Sequence, residues 1–371
     1  MMRKAVLTAT VGAAALALGV SACSSSKSPS TTSSSTSSAK PKIGVILPET
    51  ATSARWEGAD HPAILAECAK KNLDCDVQNA QGSDAQEKTI ADTMIKSEHV
   101  QVLLLASTTP TTGAAVTTEA HAAGVKVIDY DRLNPGSKPD YYVSFDNVTV
   151  GKQQGAALVA AVAAAKITNP DVAILDGAPT DNNATLFNQG YMSVLTPLIT
   201  ANTWKKSAEQ AIAGWVNTTA GTTFTSMYNS DHNINVVMVA NDGMAGAVIA
   251  DLKNLGIAGK VVVSGQDATA AGLQNIMDGT QSFTIYKPST QEAVPAVDLA
   301  AELAAGTTPT ETFATVTDPS DNSSVKSLLA TPVTITKDNI DLPVKDKYTA
   351  YTDVCTAAYA AKCTAAGITA P

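Results

Sequence analysis

The chain has 371 residues and a formal net charge of −9. Lys and Arg form no cluster along it, which argues against nucleic acid or an anionic lipid surface as a partner. The length is sufficient for two domains rather than one.

The first 22 residues have the form of a secretory signal. Two cations precede an apolar stretch that is too short to span a membrane, and Val20-Ser21-Ala22 stands directly before Cys23. Small residues before a cysteine resemble the lipobox of bacterial lipoproteins, so we expect residues 1–22 to be removed and Cys23 to carry a lipid. The alternative is an ordinary cleaved signal with an incidental cysteine. Residues 23–40, mostly Ser and Thr, predict a disordered tether.

Four further cysteines lie in the predicted folded part. Outside the cell they favour disulfides over metal, and proximity favours Cys68 with Cys75 and Cys355 with Cys363 over the two crossed pairings. Neither spacing is CxxC, and the four histidines form no ligand pattern. We therefore expect structural disulfides, no metal and no cofactor.

Apolar, β-branched runs alternate with Ala-rich segments of helical period from about residue 41 onward. KIGVIL, VQVLLLAST and VKVIDYD in the first half are matched at similar spacing by VAILDGA, INVVMVAND and KVVVSGQD in the second. This alternation is typical of βαβ units in parallel sheets covered by helices on both faces. The predicted fold class is α/β, with two similar doubly wound lobes.

Short polar clusters follow several of these runs. They are Arg55-Trp56, Asp131-Arg132, Asp181-Asn182-Asn183, Asn241-Asp242, Gln266-Asp267 and Tyr286-Lys287. Ligands of open α/β sheets bind at the carboxyl ends of the strands, so two facing lobes would bring these clusters to one cleft. Paired donors and acceptors together with Trp suit a polyhydroxylated ring, which indicates a sugar ligand.

Six segments together resemble the periplasmic sugar-binding proteins of ABC importers, type I fold, and within them the D-xylose-binding type. The segments are SARWEG, GVKVIDYDRL, YYVSFDNVTVGKQQG, DNNATLF, ANDGMAGAVIADLKNLGIAGKVVVSGQDA and YKP. The resemblance implies two lobes joined by three crossovers, which we expect near Asn147, Gln266 and Asn322. The implied first lobe is residues 41–146 and 267–322, and the second is residues 147–266 and 323–371.

The resemblance also implies which residues bind the sugar. The polar set is Arg55, Asp131, Asp181, Asn183, Asn241, Asp267 and Lys287, and the stacking rings are Trp56 and Trp215. No catalytic residue is implied.

Local chemistry leaves other roles open for several of these residues. Asp131 suits a surface turn or a helix N-cap, and Asp181 suits the cap of the helix that follows it. Asn241-Asp242 also precedes a helix, where one residue caps and the other is free to bind. Asn241 is the predicted ligand.

Three more positions carry alternatives. Lys287 ends an extended run and suits a solvated strand edge as well as a ligand contact. Trp215 suits a core position equally well. Asp267 coincides with an expected crossover and so is predicted to contact both ligand and hinge, whereas Glu49, in a loop that departs from the family pattern, is not included.

The resulting expectation is a lipid-anchored, extracytoplasmic receptor that delivers D-xylose or a related aldose to the membrane subunits of an ABC importer. The protein is expected to be a monomer, not an enzyme, and to bind no nucleic acid. A sugar-sensing co-receptor uses the same pocket and stays open as an alternative. A secreted glycosidase is the second alternative, although the carboxylates have neighbouring cations or amides suited to static binding, and no G-x-S-x-G or P-loop is present.

Overall fold

The computed structural model describes residues 39–370. The predicted signal peptide, Cys23 and nearly all of the predicted tether lie outside these residues. In chain order the elements are β1 (Lys42–Leu47), α1 (His61–Lys70), β2 (Asp74–Asn79), α2 (Asp84–Thr93), β3 (Val102–Leu105), α3 (Pro110–Ala122), β4 (Lys126–Tyr130), β5 (Tyr141–Phe145), α4 (Asn147–Ala164), β6 (Asp171–Asp176), α5 (Asn182–Thr200), β7 (Lys205–Ala211), α6 (Asn217–Ser230), β8 (Val236–Val239), α7 (Asp242–Asn254), β9 (Val262–Val263), α8 (Ala270–Asp278), β10 (Thr284–Tyr286), α9 (Thr290–Ala304), β11 (Ala314–Thr317), β12 (Ser324–Ala330), β13 (Val333–Ile335), α10 (Leu342–Lys345), α11 (Tyr351–Val354) and α12 (Ala360–Ala365).

The first lobe contains a seven-stranded sheet in the order β11-β12-β5-β4-β3-β1-β2, parallel except between β11 and β12. Val45 and Ile46 are neighbours in β1 and enter opposite cores because side chains alternate along a strand. On the Val45 face Ile64 of α1 packs, and on the Ile46 face Ile90 of α2 and Val116 of α3 pack. Helices thus cover both faces, as the alternating pattern predicts.

The second lobe repeats this arrangement around a four-stranded parallel sheet in the order β7-β6-β8-β9. Phe224 of α6 and Val248 of α7 pack on one face, and Leu158 of α4 and Leu195 of α5 pack on the other. The predicted class, two doubly wound α/β lobes, is confirmed.

Helices α4 and α5 cross closely at two glycines. A Cβ on Gly151 would lie 2.1 Å from the carbonyl oxygen of Phe187, and one on Gly190 would lie 2.3 Å from that of Val148. Neither position has space for a side chain, so this crossing fixes where α5 lies. The N-terminal part of α5 carries two residues of the candidate site.

The two later lobe boundaries differ from the expected positions near Gln266 and Asn322. After Gln266 the chain stays in the second lobe, because Phe283 and Ile285 pack in the core that contains Leu158. The chain then crosses to the first lobe between β10 and α9. Strand β12 pairs with β5 in the first sheet, so the last crossing comes after Ala330 and not before Ser324.

The C-terminal segment packs against α8 of the second lobe and forms a separate core. Ile340 and Val354 lie there with Leu273 and Ile276 of α8. A disulfide joins Cys355 to Cys363 within this segment.

A second disulfide joins Cys68 to Cys75 at the end of α1 and the start of β2. Together with the Cys355–Cys363 bond it makes the two pairings that sequence proximity favours.

Candidate functional site

Loops at the carboxyl ends of the strands of both lobes enclose one cleft. Its lining residues are Glu49, Thr52, Ser53, Arg55, Trp56, Asp131, Arg132, Asp181, Asn183, Phe187, Trp215, Asn241, Gln266, Asp267 and Lys287. All nine residues predicted to bind the ligand are in this set. The structure therefore brings together side chains that lie as far apart in the chain as Arg55 and Lys287.

Arg55 is the centre of a buried ion-pair cluster in the first lobe. Its Nε and Nη2 donate to the two carboxylate oxygens of Asp60 at 2.8 and 2.7 Å, Nη1 donates to Asp131 at 2.7 Å, and Nη2 also donates to Glu292 at 2.7 Å. Tyr130 donates its hydroxyl to Asp60 at 2.6 Å. Because a guanidinium has five N–H groups, these four bonds leave one N–H of Nη1 for a ligand.

Burial and charge oppose each other in this cluster. Burial lowers the pKa of Arg55, but the carboxylates of Asp60, Asp131 and Glu292 outweigh burial and raise that pKa above its ordinary value. Burial and the Asp131 charge raise the pKa of Glu292 well above the ordinary carboxyl range despite Arg55. Burial would raise the pKa of Asp131 too, yet Arg55, Lys287 and Arg132 outweigh it and lower that pKa. Asp131 is therefore an ionised acceptor of the cleft.

Asp131 also joins the two lobes. Asn183 at the start of α5 donates its Nδ2 to the backbone oxygen of Asp131 at 3.0 Å and to the carboxylate at 3.2 Å. Tyr142 donates to that backbone oxygen at 2.9 Å, and Asn147 donates to the Asn183 amide oxygen at 2.8 Å. The Asp131 carboxylate is thus held by groups from both lobes.

Asp181 combines the two roles that the sequence leaves open. One carboxylate oxygen accepts the backbone N–H of Asn183 at 2.9 Å and so caps α5. The other oxygen accepts the indole N–H of Trp215 at 3.2 Å and lies 3.3 Å from Nε of Arg132 in the first lobe. Asp181 is therefore a helix cap, an anchor for the Trp215 ring and one side of an ion pair between the lobes.

The structure also decides the roles of Asn241 and Asp242, which the sequence leaves open. Asn241 caps α7 by accepting the backbone N–H of Met244 at 2.9 Å, yet it also lines the cleft. Asp242 points away from the cleft and accepts the backbone N–H of Thr269 at 2.9 Å. Capping and cleft lining thus fall on the same residue.

Lys287 does not take its alternative role, whereas Trp215 packs against both cores of the second lobe and also lines the cleft. Lys287 is 4 % exposed, and its Nζ lies 3.6 Å from Asp267 and 5.4 Å from the ring centre of Phe187, so it is no solvated strand edge. Trp215 is only partly buried. Its ring packs so closely on Gly177 that a Cβ there would lie 2.0 Å from it.

Several polar atoms of the cleft are buried and lack a hydrogen-bond partner within the part of the chain that the structure describes. They are Glu49 Oε1, Ser53 Oγ, Trp56 Nε1 and Gln266 Oε1. A buried unpaired polar group costs about 1–3 kcal/mol, so such atoms indicate a polar ligand. Guanidinium carbons of Arg55 and Arg132 lie 4.6 and 5.4 Å from the Trp56 ring centre, so Trp56 contacts cations as well as the cleft.

Several contributors to this site are not in the predicted set, and Thr52 and Arg132 of the lining are two of them. Phe187 lies four residues after Asn183 on the same face of α5, a spacing that could have revealed it. Gln266 and Ser53 stand in the quoted segments but were not chosen. Glu292 comes from α9, 237 residues from Arg55, and no local signal marks it.

Two kinds of feature are absent from residues 39–370. No group of three His, Cys, Asp or Glu side chains is arranged to hold a metal ion. No helix among them combines the length and apolar character needed to cross a membrane.

The family model described as "Periplasmic binding protein domain" matches residues 43–308. The chain belongs to the periplasmic binding protein family. It is 34% identical over 309 residues to the D-xylose-binding periplasmic protein of Escherichia coli, which covers 83% of this chain and 90% of that protein.

Solved structures agree with this family. An ABC transporter solute-binding protein from Clostridium phytofermentans with bound β-D-glucose is 26% identical, with a TM-score of 0.76 over 84% of this chain and 99% of that chain. A carbohydrate transporter solute-binding protein from Chloroflexus aurantiacus in complex with D-glucose is 27% identical, with a TM-score of 0.75 over 85% of this chain and 98% of that chain. This periplasmic binding protein therefore has the type I fold and belongs with sugar-binding proteins of the ABC transporter type.

Proposed function

We propose that this periplasmic binding protein binds D-xylose or a related aldose and delivers it to the membrane subunits of an ABC importer. The observation that carries the proposal is the composition of the cleft. It joins charged and amide groups, the rings of Trp56 and Trp215, and buried polar atoms without partners. Hydroxyl groups both donate and accept, so a sugar ring can satisfy such a mixed set, while its C–H faces pack on the aromatic rings.

A ligand in this position contacts both lobes, which supports a role in transport. The first lobe contributes Arg55 and Asp131, and the second contributes Asn183, Asp267 and Lys287. Such a ligand stabilises the closed arrangement over any open one, and a permease can distinguish the two. The Arg132–Asp181 ion pair spans the same gap between the lobes.

The charge pairing supports binding without turnover. Asp131 is paired with Arg55, Asp181 with Arg132, and Asp267 with Lys287. A glycosidase needs two carboxyl groups free to act on one anomeric carbon as acid and as base or nucleophile. Each of these carboxylates instead has a fixed cationic partner, which suits a receptor.

A thermal-shift panel of pentoses, hexoses and alditols tests the proposal. We expect the midpoint of unfolding to rise with at least one aldose, because a ligand that binds only the folded state stabilises it by mass action. Aryl glycosides in the same panel test turnover, and we expect no release of the aryl group. No shift with any sugar would contradict the proposed function.

We also propose that Cys23 is the mature N-terminus and carries a lipid that anchors the protein to the cell membrane. Support comes from the small residues Val20-Ser21-Ala22 before it. Cys23→Ser should release the protein into the medium, as measured by immunoblotting of membrane and medium fractions. Cys355→Ser, a cysteine variant outside the signal, is the matched control and should remain with the membrane. Retention of Cys23→Ser at the membrane would refute the anchor.

A further inference from the structure

Two carboxylates of the cleft, Asp131 and Asp267, have left-handed backbone conformations, with φ of 61° and 92°. A residue other than glycine in this region costs about 1–3 kcal/mol, so surrounding contacts must hold it there. One buried aspartate in each lobe lies at the base of the corresponding loop. These are Asp129, which is fully buried, and Asp242, which is 2 % exposed, and neither lines the cleft.

Asp129 closes the loop that contains Asp131. One of its oxygens accepts the backbone N–H of Asn134 at 2.8 Å, and the other accepts the Asn134 side-chain amide at 2.8 Å. The Asn134 side chain has no spare room, because a Cβ on Gly113 would lie 2.4 Å from it. The chain therefore leaves β4 after Tyr130, and Asn134 is bound back to Asp129 inside the strand.

Asp242 closes the loop that contains Asp267 in a comparable way. Its backbone N–H donates to the carbonyl oxygen of Gln266 at 2.9 Å, and its carboxylate accepts the backbone N–H of Thr269 at 2.9 Å. Asp267 lies between these two attachment points. The other carboxylate oxygen accepts the Gln281 amide at 2.7 Å.

Both buried carboxyls are surrounded by donors and by few charges. Burial raises the pKa of Asp129 to about 7 and that of Asp242 to about 7, and in each case the hydrogen bonds oppose this rise. The charged neighbours that act on them are Asp318 near Asp129 and Asp267 near Asp242. Apolar residues of similar size would avoid the desolvation of a carboxylate, so two buried carboxyls that each bind the backbone of a cleft loop indicate a role beyond packing.

We propose that Asp129 and Asp242 are positioning residues that hold the backbones of Asp131 and Asp267 in the conformation that presents these carboxylates to the sugar. The last part of this statement rests on the proposed function, whereas the holding of the two loops does not. Each positioning residue acts only on the loop of its own lobe, because its hydrogen bonds stay within that lobe.

Hydrogen exchange of the sugar-free protein tests the holding of the loops. Asp129→Asn replaces one of the two acceptor oxygens by a donor, so we expect amides of residues 130–137 to exchange about tenfold faster, the effect of losing one hydrogen bond. Residues 264–269 should not change. Asp242→Asn should instead speed the exchange of residues 264–269 and leave residues 130–137 unchanged.

Asp171→Asn is the matched control. Asp171 is 4 % exposed and accepts hydrogen bonds from Lys205 and Ser207, but it lies at the first residue of β6, at the end of the strand away from the cleft. The Asp171→Asn substitution should lower the midpoint of unfolding without changing hydrogen exchange in either loop. Unchanged exchange in both loops of Asp129→Asn and Asp242→Asn would overturn the proposal.

Titration calorimetry with D-xylose then tests the link to the ligand. We expect Asp129→Asn to weaken binding about tenfold, and to have no more than about a twofold further effect once Asp131→Ala is present. Asp242→Asn should be coupled to Asp267→Ala in the same manner. The crossed pairs, Asp129→Asn with Asp267→Ala and Asp242→Asn with Asp131→Ala, should be additive.

A purely structural role predicts a different pattern. General destabilisation would leave the dissociation constants of the folded variants unchanged, and the direct and crossed double variants would then show the same affinity changes. That result would overturn the positioning role. If the wild type binds neither D-xylose nor any other aldose, the proposed function fails instead, and the exchange pattern still decides whether the two aspartates hold the loops.

Discussion

Replacing Arg55 by Ala should lower the free energy of unfolding by about 3–5 kcal/mol, the usual effect of breaking a buried ion pair from one side. The substitution leaves three carboxyl groups, those of Asp60, Asp131 and Glu292, close together in a buried site without their cation. Urea unfolding followed by circular dichroism measures the change.

Two further variants sharpen this test. Arg55→Lys should recover little of the loss, because one ammonium group cannot reproduce the fork that serves three carboxylates. Arg132→Ala is the control, since Arg132 also lines the cleft but faces a single carboxylate at 3.3 Å. A loss from Arg55→Ala no larger than that from Arg132→Ala would show that the cluster does not stabilise the fold.

The loss in Arg55→Ala should also depend on pH. Without the guanidinium the three carboxyls favour protonation, so their mutual repulsion declines as the pH falls. We expect the difference from the wild type to be smaller at pH 5 than at pH 8.

Asp131→Ala should weaken D-xylose binding by about 2–4 kcal/mol, as expected for the loss of charge-assisted hydrogen bonds to two hydroxyls. Arg55, Lys287 and Arg132 keep the pKa of Asp131 low, so the residue is a charged acceptor at neutral pH. Titration calorimetry measures the change in the dissociation constant.

Asp60→Asn is the matched control for Asp131→Ala. Asp60 binds the same guanidinium but does not line the cleft. Asp60→Asn should therefore lower the free energy of unfolding and change the affinity for D-xylose much less than Asp131→Ala does. If Asp131→Ala lowers the midpoint of unfolding and leaves the affinity unchanged, Asp131 is only a structural partner of Arg55.

The sequence reveals those parts of the site that depend on strand ends. Asp131, Asn241 and Lys287 follow apolar runs, and the carboxyl ends of parallel strands share one edge of a sheet, so their meeting is predictable. Asn183 and Phe187 share a helix face for an equally local reason. Glu292 escapes such reasoning, because only the packing of α9 on the first sheet brings it to Arg55.

The lobe boundaries show where local patterns fail. Strand β12 reads SVKSLLA, in which exposed Ser324 and Lys326 alternate with buried residues, so it resembles a surface segment more than a strand inside the first lobe's sheet. Its partner β5 lies about 180 residues earlier in the chain. Pairing at that distance depends on the assembled sheet, and no pattern within either strand specifies it.

The choice between capping and binding is another limit of the sequence. Asn241 and Asp242 both suit a helix N-terminus, and only the loop at Gln266–Thr269 decides that Asp242 turns away from the cleft. Asp181 and Asn241 each cap a helix and line the cleft. A sequence pattern identifies the residue type at such a position, while the neighbouring elements determine its role.

Titration calorimetry of the wild type with D-xylose and with D-ribose tests the central claim most directly. The two pentoses differ in the orientation of the 3-hydroxyl, and a misplaced hydroxyl leaves a buried partner unpaired at a cost of about 1–3 kcal/mol. We predict that D-xylose binds more tightly than D-ribose. Tighter binding of D-ribose by an order of magnitude, or no binding of either sugar, would contradict the account.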